Sequence, residues 1–345
     1  MICALVFHHV FEIPGSGYFP RFTLTMEFLS VANLINAIIH WSSMSAVPLL
    51  SIISGFLFFK RDHVHVLMLI KGRVRTVLYP SLIWTSFWLA FGFTLYSVGK
   101  PYGLFGWLDY DFEHFTFLTL VSGIVGLKDY PLAYQFWFIH DLVLTLLLTP
   151  IIHFFLQRFD LPMLFVVLFL WFAGIVPPLF FYGNVLCFFI VGAVIARANI
   201  DLFELAKQSY DRLGLIFILF SFVVVMQIFA SNLEWFETGL WLRILRLLGV
   251  LTASGCMYFF MTQYPAAVTK INVYSGSSFL IFALHYPLIE FVKIVVLRAP
   301  YLTTSTGLII SLFLIPITTI LLSYGSGLML HKLSPRLARV LSGGR

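Results

Sequence analysis

Ten apolar runs joined by short connections leave this chain almost no sequence with which to face water. They lie at about residues 1–13, 41–59, 77–98, 135–156, 162–181, 182–197, 213–231, 243–262, 275–297 and 303–330. A helix needs ~20 apolar residues to cross a hydrocarbon core ~30 Å thick, and most of these runs are close to that length. Only 10% of the residues are charged, against about a quarter in a soluble domain. Such a chain cannot cover its own surface against water, so its surface must face the lipid bilayer. The expected fold is an all-α integral membrane protein of roughly ten transmembrane helices. It forms a single polytopic domain over residues 1–345, with no soluble domain and no nucleic-acid partner. Any chemistry must be done by residues in or beside the membrane.

The cationic residues set an orientation. With the N-terminus inside, fourteen of the 21 Lys and Arg fall on the cytoplasmic side. The other seven, Arg21, Lys100, Lys128, Arg243, Arg246, Lys293 and Arg298, fall outside. Cytoplasmic loops carry the excess of Lys and Arg, so both termini are expected to be cytoplasmic. The longest connection, about 99–134, then faces outward. Its aromatic residues, among them Tyr102, Phe105, Trp107 and Tyr110, suit a segment lying against the membrane surface, or one that grips a sugar. The opening run breaks at Glu12, Pro14 and Gly15; at 1.5 Å per residue it is too short to span. It reads as a truncated or partial first helix, with no cleavable signal peptide. The three cysteines, Cys3, Cys187 and Cys256, are odd in number and widely spaced. They form no disulfide framework or zinc pattern, and no metal site is expected.

Ionisable residues within apolar spans are expensive, which makes each a functional candidate. His8 and His9 close the run ALVFHHV. Adjacent helical residues are about 100° apart, so the two rings cannot do the same job. A neutral imidazole can take a proton from a hydroxyl near physiological pH, and it can equally serve a structural role. The basic stretch KRDHVHVLMLIKGRVR carries Lys71, Arg73 and Arg75. It is either the cytoplasmic anchor of a hairpin or a set of cations able to hold phosphates. Deeper lie Trp137, His140 and Asp141 in QFWFIHDLVL, His153, and His285 in IFALHYPLIE. Glu290 and Lys293, at i and i+3, can neutralise one another on one helix face. The Tyr-Pro after His285 marks a kink, where a polar residue can simply satisfy freed carbonyls.

At these residues the sequence resembles the acyltransferase-3 family of integral membrane acyltransferases. ALVFHHV is similar to the end of the family's first helix, whose hallmark is an Arg, ten residues and a His. AVPLLSIISGFLFFKR resembles the second helix, with its Ser54-Gly55 pair. KGRVRTVLYPSLIW resembles the Arg-rich entry to the third, and FWFIHDLVLTLLLTP a later Trp-Phe helix. Weaker echoes follow in CFFIVGAVIAR and FALHYPL, so the likeness covers nearly the whole chain in a ten-helix layout. It implies transfer of an acyl group, commonly acetyl from acetyl-CoA, to a hydroxyl of a surface or exported glycan or glycolipid. This would be polysaccharide O-acetylation at the cytoplasmic (inner) membrane, with acyl-CoA as donor substrate and no permanently bound cofactor. His9 then matches the motif His, with His8 second, as general base or transient holder of the acyl group. Arg73 and Arg75, with Lys71, would steer the CoA phosphates, while Trp137, Asp141 and His285 are further site candidates. Ser54 and Gly55 would allow close helix approach.

The chain departs from the family pattern twice. The motif Arg would stand eleven positions before His9, ahead of Met1, which together with the short first helix suggests a natural start upstream. The cations read Arg-x-Arg, where many relatives show Arg-x-x-Arg. A reading from another class, a proton-coupled transporter or flippase, also accounts for intramembrane His, Asp and Glu. It lacks the internal repeat common in transporters.

Overall fold

A computed structural model describes residues 1–10, 30–60, 66–99, 112, 116–126, 131, 133–230 and 238–344. The described residues are helical, with no strand among them. In chain order the helices are α1 (Ile2–His8), α2 (Val31–Met44), α3 (Ala46–Phe59), α4 (Val66–Arg73), α5 (Tyr79–Gly99) and α6 (Phe117–Val125). They continue with α7 (Trp137–Leu147), α8 (Thr149–Phe172), α9 (Gly183–Arg197), α10 (Leu202–Asp211) and α11 (Leu213–Ala230). The last are α12 (Thr238–Gln263), α13 (Pro265–Val273), α14 (Ser278–Val296), α15 (Ser305–Leu333) and α16 (Pro335–Leu341). A π-helical turn, Val74–Leu78, joins α4 to α5.

Among the described residues six helices are long and apolar enough to span a membrane, or seven if α9 and α10 count as one span bent by 108°. The molecule is a multi-pass membrane protein. Within α8 the chain is not one straight helix. Phe159 has φ −142° and ψ 50°, outside helical geometry, and Pro162 follows it. Asp160 accepts from Arg197 at the end of α9, at 2.8 and 3.3 Å. Trp171 Nε1 donates to Asn184 at the start of α9, at 2.7 Å. The arm after Phe159 therefore runs antiparallel to α9. The arm before it descends from Asp141, which binds residues 181 and 182, to Ile152 and Leu156, which pack on Ile190 and Val194. So α8 is two arms that reverse at Phe159.

At the centre lies α9, buried from Asn184 to Ala196 along most of its circumference. A helix apolar all round belongs inside a bundle. Its contact with α3 is backbone to backbone. A Cβ on Gly55 would collide with the Phe189 carbonyl, and one on Gly192 with the Ile52 carbonyl. This reciprocal small-residue contact is how membrane helices gain packing where lipid offers no hydrophobic drive. It gives Gly55 the close-approach role the sequence suggested.

The second apolar run begins ten residues earlier than expected, at Val31. Asn33, Asn36, His40 and Ser43 are buried in the bundle, so the front half of the span looks too polar to be membrane sequence. Arg243 and Arg246, expected in an outer connection, instead lie within α12. The aromatic and acidic residues expected on the outer stretch, from Tyr102 to Tyr110 and at Asp111, Glu113 and Asp129, lie outside the described residues, as do Lys100 and Lys128. Within that stretch Phe112 is buried against Phe93 and Tyr96, and α6 opens with a capping box at Thr116 and Thr119.

Candidate active site

A cavity of about 330 Å³ opens where α1, α2, α7, α9, α12 and α14 converge. Four histidines line it. His8 ends α1 and His9 caps it with φ −95° and ψ 10°. The two rings diverge, as adjacent helical positions must. His8 lies 4.2 Å from the His40 ring of α2. His9 lies 5.5 Å from the His285 ring of α14 and 4.9 Å from Tyr286. Neither His285 nor His40 is more than 3% exposed, so both are held as fixed walls. Trp137 lines the cavity as well and packs edge-on against Tyr182 at 4.7 Å.

Arg246 of α12 also lines the cavity. Its Nη1 donates to Asn184 Oδ1 at 3.2 Å, and the same oxygen accepts from Trp171 Nε1. Asn184 thus aims a guanidinium into a site walled largely by apolar side chains, where a cation acts far more strongly on developing negative charge than it does in water.

Of the residues singled out in the sequence, His8, His9, Trp137 and His285 come together at this cavity. Asp141 does not line it. It is fully buried and accepts from the Phe181 and Tyr182 backbone N–H groups at 3.0 and 2.9 Å, with His140 Nδ1 at 3.1 Å. Its position is that of an anchor for the turn that delivers Tyr182 and Asn184. His153 bonds to Gln157 on α8. Lys71, Arg73 and Arg75 sit apart, at the α4–α5 junction, with Lys71 and Arg75 exposed. Glu290 and Lys293 form the pair their spacing predicts, at 2.6 Å, with Lys293 buried. Among the described residues no cluster of His, Cys, Asp or Glu is arranged to hold a metal ion.

The sequence reading missed His40, Arg246, Asn184, Gln135 and Tyr182. The signal for Arg246 was present: a cation inside an apolar run is costly unless it faces a cavity or a partner. Counting it as a loop charge hid it. Asn184 and Gln135 carry no such signal, because amides occur throughout membrane helices.

Comparison with known proteins bears on this geometry. The family described as "Acyltransferase domain" matches residues 1–326. "Succinoglycan biosynthesis protein ExoH" of Rhizobium meliloti (strain 1021) is 25% identical over 311 residues, covering 87% of this chain and 79% of that protein. No solved structure matches. A match over nearly the whole chain, on a bundle whose histidines face a buried cavity, decides between enzyme and transporter: the chain belongs to the acyltransferase-3 family and is a membrane O-acyltransferase.

Proposed function

We propose that this protein transfers an acyl group, acetyl being the simplest, from acyl-CoA to a hydroxyl of a glycan or glycolipid at the cytoplasmic membrane. The observation that carries the reading is a single cavity between the helices that both His9 and Arg246 line. His9 is the reactive imidazole, with His8 second. Arg246 stabilises the oxyanion of the tetrahedral intermediate. Over one turnover an O–acyl bond replaces the C–S bond, and the proton lost by the acceptor hydroxyl is balanced by one gained at the CoA thiol. Such donors aimed at developing charge contribute roughly 10²–10³ in turnover.

The likeness to a succinoglycan biosynthesis protein favours an exported polysaccharide, or its lipid-linked precursor, as acceptor. Lys71, Arg73 and Arg75, beside the π-helical turn, would receive the CoA phosphates from the cytoplasm, with both termini on that side. The reversal within α8 suits a ten-helix layout.

The test is purified protein in nanodiscs with radiolabelled acetyl-CoA, comparing wild type with His9→Ala and with His8→Ala. Label reaching added membrane glycans only when His9 is present supports the reading. Equal transfer by a folded variant lacking both histidines sinks it.

A further inference from the structure

The α14 wall of the cavity is built of hydrogen-bond acceptors. Pro287 has no N–H, so it leaves the carbonyl four residues earlier, that of Ala283, without its helical partner. A histidine beside such a proline has a simple structural explanation, namely satisfying that carbonyl. Here the Ala283 oxygen is already met twice, by Trp88 Nε1 at 3.1 Å and Gln135 Nε2 at 3.0 Å. His285 turns elsewhere. Its Nδ1 faces the Phe282 and Ile281 carbonyls at 2.7 and 3.2 Å. Both are acceptors, so Nδ1 must carry the hydrogen. The neutral ring then presents a lone pair at Nε2, which has no protein partner among the described residues. Gln135 is fixed in the same way. Its amide nitrogen donates to Ala283, so the oxygen is the free end, and Gln135 Oε1 likewise has no partner among the described residues. Both side chains line the cavity and are at most 3% exposed. Buried acceptors without donors are costly, and two of them on one wall fit a ligand bringing hydroxyls.

We infer that this wall is the acceptor-hydroxyl site, with Gln135 orienting the sugar and His285 Nε2 taking the proton of the hydroxyl to be acylated. This rests on the acyl-transfer reading above and divides its labour. His9 attacks the thioester carbonyl; a C–N bond forms, the C–S bond breaks, and the imidazole proton goes to the thiolate, releasing CoA thiol. The hydroxyl oxygen then bonds to the acyl carbon as its proton passes to His285 Nε2. The C–N bond breaks, and His9 recovers a proton from His285, whose ring lies 5.5 Å away. Both histidines end neutral.

The test compares His285→Asn, His285→Gln and His9→Ala in nanodiscs, each first shown to match wild type in size-exclusion profile and melting temperature. With radiolabelled acetyl-CoA alone, one equivalent of thiol release and protein labelling is measured. With membrane glycan added, transfer is measured. Asn keeps a donor where Nδ1 stands and deletes the base, whereas Gln restores a hydrogen-bonding group near Nε2 without restoring a base. Both are expected to keep the thiol burst and to lose transfer by ~10²-fold or more. Rescue by Gln, or unchanged transfer in the Asn variant, would overturn the assignment. Loss of the burst in both would also overturn it, since His285 would then serve the donor half. If His9→Ala keeps burst and transfer while His285→Asn loses transfer, the His9 role fails and the His285 base stands. A Gln135→Met variant should raise the acceptor KM with kcat little changed; a fall in kcat alone would remove Gln135 from the site.

Discussion

Two acids, one fully buried and one partly so, illustrate how a costly residue can serve the fold without touching substrate. The Asp141 carboxylate meets two backbone N–H groups at the turn before α9. Asp141→Ala would leave both without their acceptor, at about 1–3 kcal/mol each. A fall in melting temperature together with lost activity is expected. Asp141→Asn offers only one oxygen and should fall between, and a thermal-shift series with activity assays checks the order. Glu290 neutralises buried Lys293. Removing one member of a buried pair costs about 3–5 kcal/mol by stranding the other charge. Glu290→Ala should therefore be far less stable than a Glu290→Ala/Lys293→Met double variant, which a double-mutant melting cycle would measure. Arg246→Gln, by contrast, should preserve stability better than turnover, reducing kcat by roughly 10²-fold.

Element by element, the α3–α9 contact sets how closely the bundle closes around its central helix. Gly55→Leu must drive α3 away from the Phe189 backbone, and overpacking of this kind costs about 1–3 kcal/mol. The measurement is detergent melting, and a melting temperature equal to wild type would contradict the contact. The reversal in α8 is likewise an element-level claim. If its arms fold back at Phe159, residue 157 lies near a membrane face, whereas a single straight span would bury it in lipid. In a background without native cysteines, Gln157→Cys should react with a membrane-impermeant maleimide from the cytoplasmic side, and Ile175→Cys from the opposite side.

For the molecule as a whole, most of the outline was legible in the chain. The apolar runs from 182–197, 213–231, 275–297 and 303–330 begin or end within about three residues of α9, α11, α14 and α15. These are long segments whose periodicity and charge depletion are local properties. The run at 41–59 started late because the buried side of α2 carries Asn33, Asn36 and His40. Hydropathy averages a helix over all its faces, so a span with a polar interior face reads as a loop. The same averaging misassigned Arg246, whereas the break between the runs at 135–156 and 162–181 falls where α8 divides at Phe159.

The sequence by itself determined that this protein lives in a bilayer, that it is helical, and that two histidines, His8 and His9, close its opening apolar run. Apolar run length, scarcity of charge and short ordered motifs are properties of contiguous residues. Only the tertiary structure decided what stands around those histidines. His9, His40, Gln135, Asn184, Arg246 and His285 are scattered over most of the chain and meet only where their helices cross. Tertiary contacts also separated similar residues by role. Asp141 is spent on two backbone N–H groups, while His285 keeps its Nε2 open because Trp88 and Gln135 already satisfy the carbonyl that Pro287 freed. A hydrogen bond supplied from a distant helix determines whether a buried polar group is structural or free for chemistry, and one-dimensional spacing does not encode it.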